Sequence, residues 1–365
     1  MIIDDISNFI KRKNIEKVVI HGLYNSTHTH RFIHEAIYDA FSYIIDEIGD
    51  NIKLYWIDDC ESNYNFYQDE YNYLVFSSPH YNTEEYLPIR DNIYYILHYR
   101  THNIIQNKIV NKYNNLLQNK RAVKYVEYRG PPNKHYIEEF SLKIDKKNYF
   151  WYYYYVPVKD AINDLDNKRK KNYTFQYYPT NELHIPWATN ILPKQIEKNI
   201  IKMKSINYLP QSYFCGTLWC TNEIEMKQWK KNCITHRLNS IFDHEKNEEK
   251  HQKKVISSLL APAIQGASQR ESETWFYFPC RFFKNISYGG VPITNNPGIN
   301  KFFKDYFIIY DENIDRLFYK SLEYRKWEEI NKDLHIKSME HIMNYIKDNH
   351  TYLNRIHDLI QYGLE

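Results

Sequence analysis

Glycine is scarce in this chain, with nine residues among 365, and alanine is scarce with it. Cysteine is limited to five positions: Cys60, Cys215, Cys220, Cys233 and Cys280. They are odd in number and scattered, with no CxxC pair. That argues against a disulfide framework and for free thiols in a reducing compartment. No run approaches the roughly 20 apolar residues of a membrane span. The opening MIIDDISNFIKRK has acids at Asp4 and Asp5 and no apolar core, which argues against a secretion signal. A net charge of +3 supplies no strong field toward nucleic acid or anionic lipid. The expectation is a cytoplasmic protein with no integral membrane segment and no nucleic-acid partner.

What is abundant is tyrosine, at 36 residues, together with Asn, Ile and Lys. The codons of these residues are AT-rich. A genome of that composition, viral or bacterial, accounts for a bias that spreads along the whole chain; in the viral case the location is the host cytoplasm. A tyrosine-lined surface would also suit sugar or nucleobase stacking. Asn25, Asn172, Asn285 and Asn349 each open an N-x-S/T sequon, as chance provides when Asn is so common. Apolar residues at 43% and charged residues at 25% describe a globular chain long enough for two ordinary domains.

The first half alternates strand and helix signals. KVVIHG at 17–22 reads as a buried strand ending in a glycine turn, followed by the polar loop LYNSTHTH. Phe32, Ala36, Ile37, Ala40, Phe41, Ile44 and Ile45 then recur at helical spacing over 31–48. IKLYWI, YNYLVFSS (71–78), NIYYILHY (92–99) and AVKYVEY (122–128) are further strand candidates. This order predicts a parallel sheet of Rossmann type, whose binding loops follow the strands' carboxyl ends. His28, His30, Asp59, His80 and Asn25 lie in those loops. Residues 145–180 are irregular, and DNKRKKN within them reads as a solvated loop. A second α/β half begins with YFCGTLW at 213–219, continues with a helix near 222–238 and a strand VISSLLAP at 255–262, and ends in helices. The division expected is 1–205, 206–334 and a helical 335–365 that packs back on the first domain.

Two of the nine glycines are adjacent, in FPCRFFKNISYGGVPITNN, 278–296. Residues 280–288 read as a helix, with Pro279 suited to its start. Arg281, Lys284, Asn285 and Tyr288 fall at i, i+3, i+4 and i+7 on one polar face, and Phe282, Phe283 and Ile286 on the apolar side. Gly289 can take the left-handed conformation that ends a helix, and Gly290 lets the chain turn into the short buried strand VPIT. A helix N-terminus with two cations beside it makes a diphosphate site. The same pattern also describes a surface helix with a solvated basic face.

The segment resembles the donor-domain motif of GT-B glycosyltransferases, especially exostosin-like and fucosyltransferase-like ones, roughly R-[LF]-x-E-A-[IL]-x-x-G-x-[VI]-P-[VI]. Arg281, Gly289, Val291, Pro292 and Ile293 match; the acidic position holds Lys284, and the earlier glutamate of the pair would fall at Phe276. Both acids are therefore missing, which argues against the retaining subgroup that uses them and leaves the stereochemistry open. GTLW at 216–219 resembles the first turn of a GT-B donor domain; ELHIPWATNILPKQI at 182–196 resembles the end of the N-terminal domain, and HGLYNSTHTHRFIHEAIYDAF the start, of uncharacterised giant-virus and bacterial glycosyltransferase-like proteins. The resemblance implies two Rossmann-like domains facing across a cleft. It also implies a nucleotide-sugar donor on the C-terminal half, with a glycan or other hydroxyl acceptor on the N-terminal half.

On this reading Arg281 and Lys284 neutralise the leaving diphosphate, and Asn285, Ser287 and Tyr288 add contacts. Gly216 and Thr217 allow close backbone approach; Ala261 to Ser268, with Pro262 among them, run past the base, and Glu271 and Glu273 either reach the ribose or donor sugar or stand exposed. An inverting reaction needs a general base, for which His28 comes first, then Asp59 and His80. Asn25 and His30 are assigned to the acceptor. His28 and His30 alone make no metal set, and DLD at 164–166 lacks the strand context of a metal-binding DxD. No metal and no cofactor beyond the donor are expected. Two other classes remain open: a non-catalytic glycan- or nucleotide-binding protein that kept this fold, and a nucleic-acid binder stacking bases on tyrosine.

Overall fold

The structure is a computed structural model. It describes residues 2–25, 31–49, 51–57, 66–77, 87–99, 113, 115–127, 182–216, 222–243, 245, 247–266 and 278–365. Described residues up to Pro186, together with Tyr352–Glu365, form one unit, and Trp187–Thr351 form a second.

The first unit opens with a helix the sequence reading did not anticipate, α1 (Ile2–Arg12). Ile6, Phe9 and Ile10 are its buried stripe, with Asp4 and Asp5 in its first turn and Lys11 and Arg12 in its last, each favourable to the helix dipole. Asn14, at φ 48°, turns the chain into β1 (Ile15–His21). Helix α2 (Arg31–Ile48) buries Ile33, Ala36, Ile37, Ala40, Phe41 and Ile44. Strands β2 (Lys53–Ile57), β3 (Asn72–Ser77), β4 (Ile93–Tyr99), β5 (Ala122–Glu127) and β6 (Glu182–Ile185) complete a six-stranded sheet in the order β2-β1-β3-β4-β5-β6. Every pairing in it is parallel. β1 and β3 are buried almost throughout, as strands covered on both faces must be.

The second unit starts with α3 (Pro193–Met203), then β7 (Leu209–Cys215), α4 (Glu223–Thr235), β8 (Asn239–Asp243), α5 (Glu248–Ser257) and β9 (Ser258–Leu260). After these come α6 (Cys280–Ser287), β10 (Ile293–Thr294), α7 (Pro297–Phe302) and β11 (Ile309–Tyr310), and then α8 (Ile314–Ile330) and α9 (Lys332–Asn349). β7 is central in a parallel β8-β7-β9 sheet, and β10 pairs with β11 in parallel. A bridge from Ala263 to Thr294 links the end of β9 to β10.

Three expectations change here. Val255–Ser257, read as the start of a strand, end a helix instead: His251 and Val255 are buried one turn apart, and the strand is only Ser258–Leu260. Helix α3 belongs with the second unit, because it packs on α9, so the division falls before Trp187 rather than at residue 205. Of the terminal helical region, α9 also stays with the second unit. Only α10 (Tyr352–Asp358) and the π-helical turn Leu359–Leu364 join the first. There Arg355, fully buried, donates from Nε to the Pro186 carbonyl at 2.8 Å. A Cβ on Gly363 would meet Val123 Cγ2 at 2.4 Å, so that close approach to β5 needs glycine.

Candidate active site

The motif 278–296 folds as a helix, a glycine stop and a short strand. Pro279 stands at the N-cap, and Phe282, Phe283 and Ile286 fill the core. The expected polar face is mostly interior. Asn285 is buried and donates from Nδ2 to the Ala261 carbonyl at 3.0 Å, tying α6 to the end of β9. Ser287 is fully buried and donates back to the Phe283 carbonyl at 2.8 Å. Tyr288 is buried too; Arg281 and Lys284 are half-buried. The two glycines have separate reasons. Gly289 has φ 94°, and a Cβ there would press Met203 at 3.0 Å; a Cβ on Gly290 would meet Val255 Cγ1 at 2.9 Å.

Arg281 reaches from the first turn of α6 to the carboxyl end of β7. Its guanidinium carbon lies 4.0 Å from the centroid of the Phe214 ring, and its Nε donates to the Cys215 carbonyl. The next residue, Gly216, has φ +146°, and a Cβ built there would stand 1.9 Å from Arg281 Nη2. The glycine is therefore the space the guanidinium occupies. The turn is fixed by Gly216 N–H, which donates to the Asp243 carbonyl at 3.0 Å.

Beside it, Lys284 Nζ pairs with Glu248 Oε2 at 2.9 Å, and the Tyr288 hydroxyl donates to Glu248 Oε1. Burial works against an ionised Glu248, but the Lys284 ammonium and the Tyr288 hydroxyl outweigh it and hold the carboxyl below its ordinary range. The Tyr288 hydroxyl is pushed up, first by burial and then by Glu248. One turn along α5, His251 is buried between the rings of Tyr213 and Tyr288, at 5.8 and 5.3 Å. Burial, and then the Lys284 charge, bring its pKa down to about 4. Underneath, Asp243 accepts from Tyr213 at 2.8 Å and pairs with Lys254 at 2.6 Å.

Pro262 is buried in the segment between β9 and the loop beyond. That segment is clasped by amides: Gln265 N–H donates to Asn295 Oδ1 at 2.9 Å, and Asn295 Nδ2 to the Gln265 carbonyl at 2.7 Å. Asn296 Nδ2 donates to Gln265 Oε1, while its Oδ1 caps α7 through the N–H groups of Gly298 and Ile299. Glu248, His251, Gln265, Asn295 and Asn296 were not singled out from sequence. Glu248 and His251 sit in a charged run that reads as surface, and only the i, i+3 spacing of the two hinted at a shared face.

In the first unit, Asn25 is exposed just after β1. His28, His30, Asp59, His80, Thr217, Glu271 and Glu273 lie outside the described residues. Other histidines do gather near the carboxyl ends of the strands. His34 Nδ1 donates to the Gly22 carbonyl at 3.0 Å, where Trp56 Nε1 also donates at 2.9 Å. The His98 ring lies 6.1 Å from His34, and 5.8 Å from Phe76, which it stacks on. On the opposite sheet face, His21 Nδ1 is 2.8 Å from the Tyr67 hydroxyl. All three histidines are buried. Among the described residues no cluster of three His, Cys, Asp or Glu could hold a metal ion, and no helix is long and apolar enough to cross a membrane.

No family model matches this sequence, and no curated protein matches it. Two solved structures share its fold. One is an alpha-glucosyltransferase in complex with UDP, with TM-score 0.56 and 10% identity over 94% of this chain and 99% of that one. The other is an alpha-glucosyltransferase in complex with UDP-glucose and DNA containing an abasic site, with TM-score 0.52 and 9% identity over 94% and 99%. The two parallel α/β units and the carboxyl-terminal helices thus resemble the GT-B glucosyltransferase fold, as the 278–296 motif led one to expect.

Proposed function

We propose that this chain is a glycosyltransferase that takes its sugar from a nucleotide diphosphate, UDP-glucose being the first donor to test. The observation that carries the proposal is Arg281 laid into the space above Gly216. It brings a guanidinium to the end of a central parallel strand, beside a helix amino-terminus. Nucleotides bind α/β folds at such strand ends, and a fixed cation there stabilises charge that develops on a leaving diphosphate. Lys284 joins it by exchanging Glu248 for a phosphate oxygen. The clasp of Gln265 by Asn295 fixes the end of the segment proposed to lie against the base. On the acceptor side His28 is the proposed base, with Asp59 and His80 as alternatives, and no metal is required.

The acceptor is a hydroxyl of a glycan or another molecule. The DNA in the second similar structure favours a second reading, in which that hydroxyl is carried by DNA. A thermal-shift series with UDP, UDP-glucose, GDP and CMP, with and without EDTA, tests the donor. A ligand in excess raises the melting temperature by linkage. A rise with one nucleotide that ignores EDTA and disappears in Arg281→Ala is expected. Absence of a shift with every nucleotide would instead support the non-catalytic binding protein. Transfer of labelled glucose to DNA rather than to glycans would select the second acceptor.

A further inference from the structure

Glu248 stands in the first turn of α5, and its carboxylate is held by two donors of α6. Lys284 Nζ donates to Oε2 at 2.9 Å, and the Tyr288 hydroxyl donates to Oε1. An ammonium and a hydroxyl, with the Arg281 guanidinium one helical turn away, are the donors a phosphate group takes. The carboxylate is thus a resident anion on the groups assigned to the diphosphate. The neighbouring acids are engaged elsewhere: Asp243 and Glu245 share Lys254, at 2.6 and 2.8 Å. Among the described residues Lys284 pairs with no carboxylate but that of Glu248.

The two ends of this pair differ in depth. The Glu248 side chain is 47% exposed and that of Lys284 only 19%. The carboxylate can turn out into water at little cost. The ammonium cannot follow it, because α6 is fixed by the buried Phe283 and Asn285 on either side of Lys284. Left alone, Lys284 would be a largely desolvated charge with no ionic partner, which is unfavourable. The Tyr288 ring, its centre 5.8 Å from Nζ, compensates only in part. The pair therefore opens where another anion takes the place of the carboxylate.

We propose that Glu248 is an internal competitor of the donor's phosphate. It occupies Lys284 and Tyr288 in the free protein, gives them up to an arriving diphosphate, and retakes them as the spent diphosphate leaves. The proposal rests on the reading of Arg281 and Lys284 as the diphosphate site, and adds to it an acid that lowers affinity rather than raising it.

The test is calorimetric titration of four proteins, the parent, Glu248→Gln, Lys284→Met and the double variant, with pyrophosphate and with UDP. Glutamine keeps the size of the side chain and still accepts from the Tyr288 hydroxyl, but carries no charge. Glu248→Gln is expected to bind both ligands about three- to tenfold tighter than the parent. The gain should largely vanish in the Lys284→Met background, where there is no ammonium to compete for. Glu248→Ala should show the gain as well, since it also frees Lys284. Pyrophosphate binding that is unchanged or weaker in both Glu248 variants would overturn the proposal, because the acid would then support the site. A gain as large in Lys284→Met as in the parent would also overturn it, since that is charge repulsion without competition. Pyrophosphate separates this proposal from the donor reading. Tighter pyrophosphate in Glu248→Gln with no UDP bound by any protein would uphold the exchange and refute the nucleotide donor. UDP bound by the parent with no gain in Glu248→Gln would refute the exchange alone, and no binding of either ligand to any of the four would refute both.

Discussion

Replacing Gly216 with alanine isolates the role of Arg281 without touching it. The new Cβ would lie 1.9 Å from Nη2 and 2.9 Å from Cζ. To reach ordinary contact the guanidinium must retreat by roughly 1.5 Å or more. It is the far end of a flexible side chain, so the fold survives. The backbone at φ +146° adds strain of ~1–2 kcal/mol in stability. On the proposed reading, the displaced guanidinium loses its aim on the diphosphate. One charge-assisted hydrogen bond contributes about 1.5–3 kcal/mol, which corresponds to about a 10- to 100-fold weaker Kd for UDP. Calorimetry on the four proteins of a double-mutant cycle, with Arg281→Ala as the second change, separates the routes. Gly216→Ala should cost affinity in the parent and almost none once Arg281 is gone. Equal losses in both backgrounds would refute the reasoning, because the glycine would then act through the backbone alone.

Two further predictions rest on histidines. His251 has a folded-state pKa of about 4 against 6.5 unperturbed, so between those values the unfolded chain binds a proton that the folded chain refuses. Stability therefore falls as pH drops through 6.5 toward 4, by about 2 kcal/mol at pH 5 from this group. Urea midpoints at pH 7 and 5 should differ less in His251→Phe than in the parent, and an unchanged difference would assign the acid sensitivity elsewhere. His28→Ala should lower turnover about 10²- to 10⁴-fold, the range of general-base catalysis, while leaving the Kd for the donor nucleotide as it was. Unchanged single-turnover rates would remove His28 from the chemistry.

Strands β1, β3, β4 and β5 and helix α2 were readable because each is an uninterrupted apolar run or a clean helical stripe. β8 was not: it is a five-residue edge strand, NSIFD, exposed or half-buried throughout, and edge strands carry little apolar signal. Helix α1 is hard to see in the sequence because its acidic first turn and basic last turn leave a stripe of only Ile6, Phe9 and Ile10. In the site, the helix and its glycine stop were legible because local spacing dictates both. The depth of Asn285 and Ser287 was not, since an eight-residue helix packed by α3, α5 and β9 buries most of its circumference, polar positions included. Glu248 precedes Lys284 by 36 residues, and no local pattern joins them.

That pair bears on the position where the motif departs from the pattern it resembles. The pattern places an acid on the helix; here the helix offers Lys284, and an acid arrives from α5 as Glu248, 2.9 Å away. The site thus contains a carboxylate and an ammonium in contact, the ammonium from α6 and the carboxylate from α5. If contact of opposite charges is what the local fold requires, Lys284→Glu alone sets two carboxylates against each other beside the Tyr288 hydroxyl, and Glu248→Lys alone sets two ammoniums. Because Glu248 is about half exposed, at 47%, each single change should cost no more than ~1 kcal/mol. The double exchange should recover most of that loss in the urea midpoint. Nucleotide affinity separates geometry from charge: if Lys284 serves the diphosphate from its own place on α6, the exchanged protein regains stability but not affinity for UDP. Recovery of both would mean that a cation anywhere in this pair suffices, and would move the phosphate contact from Lys284 to the pair as a whole.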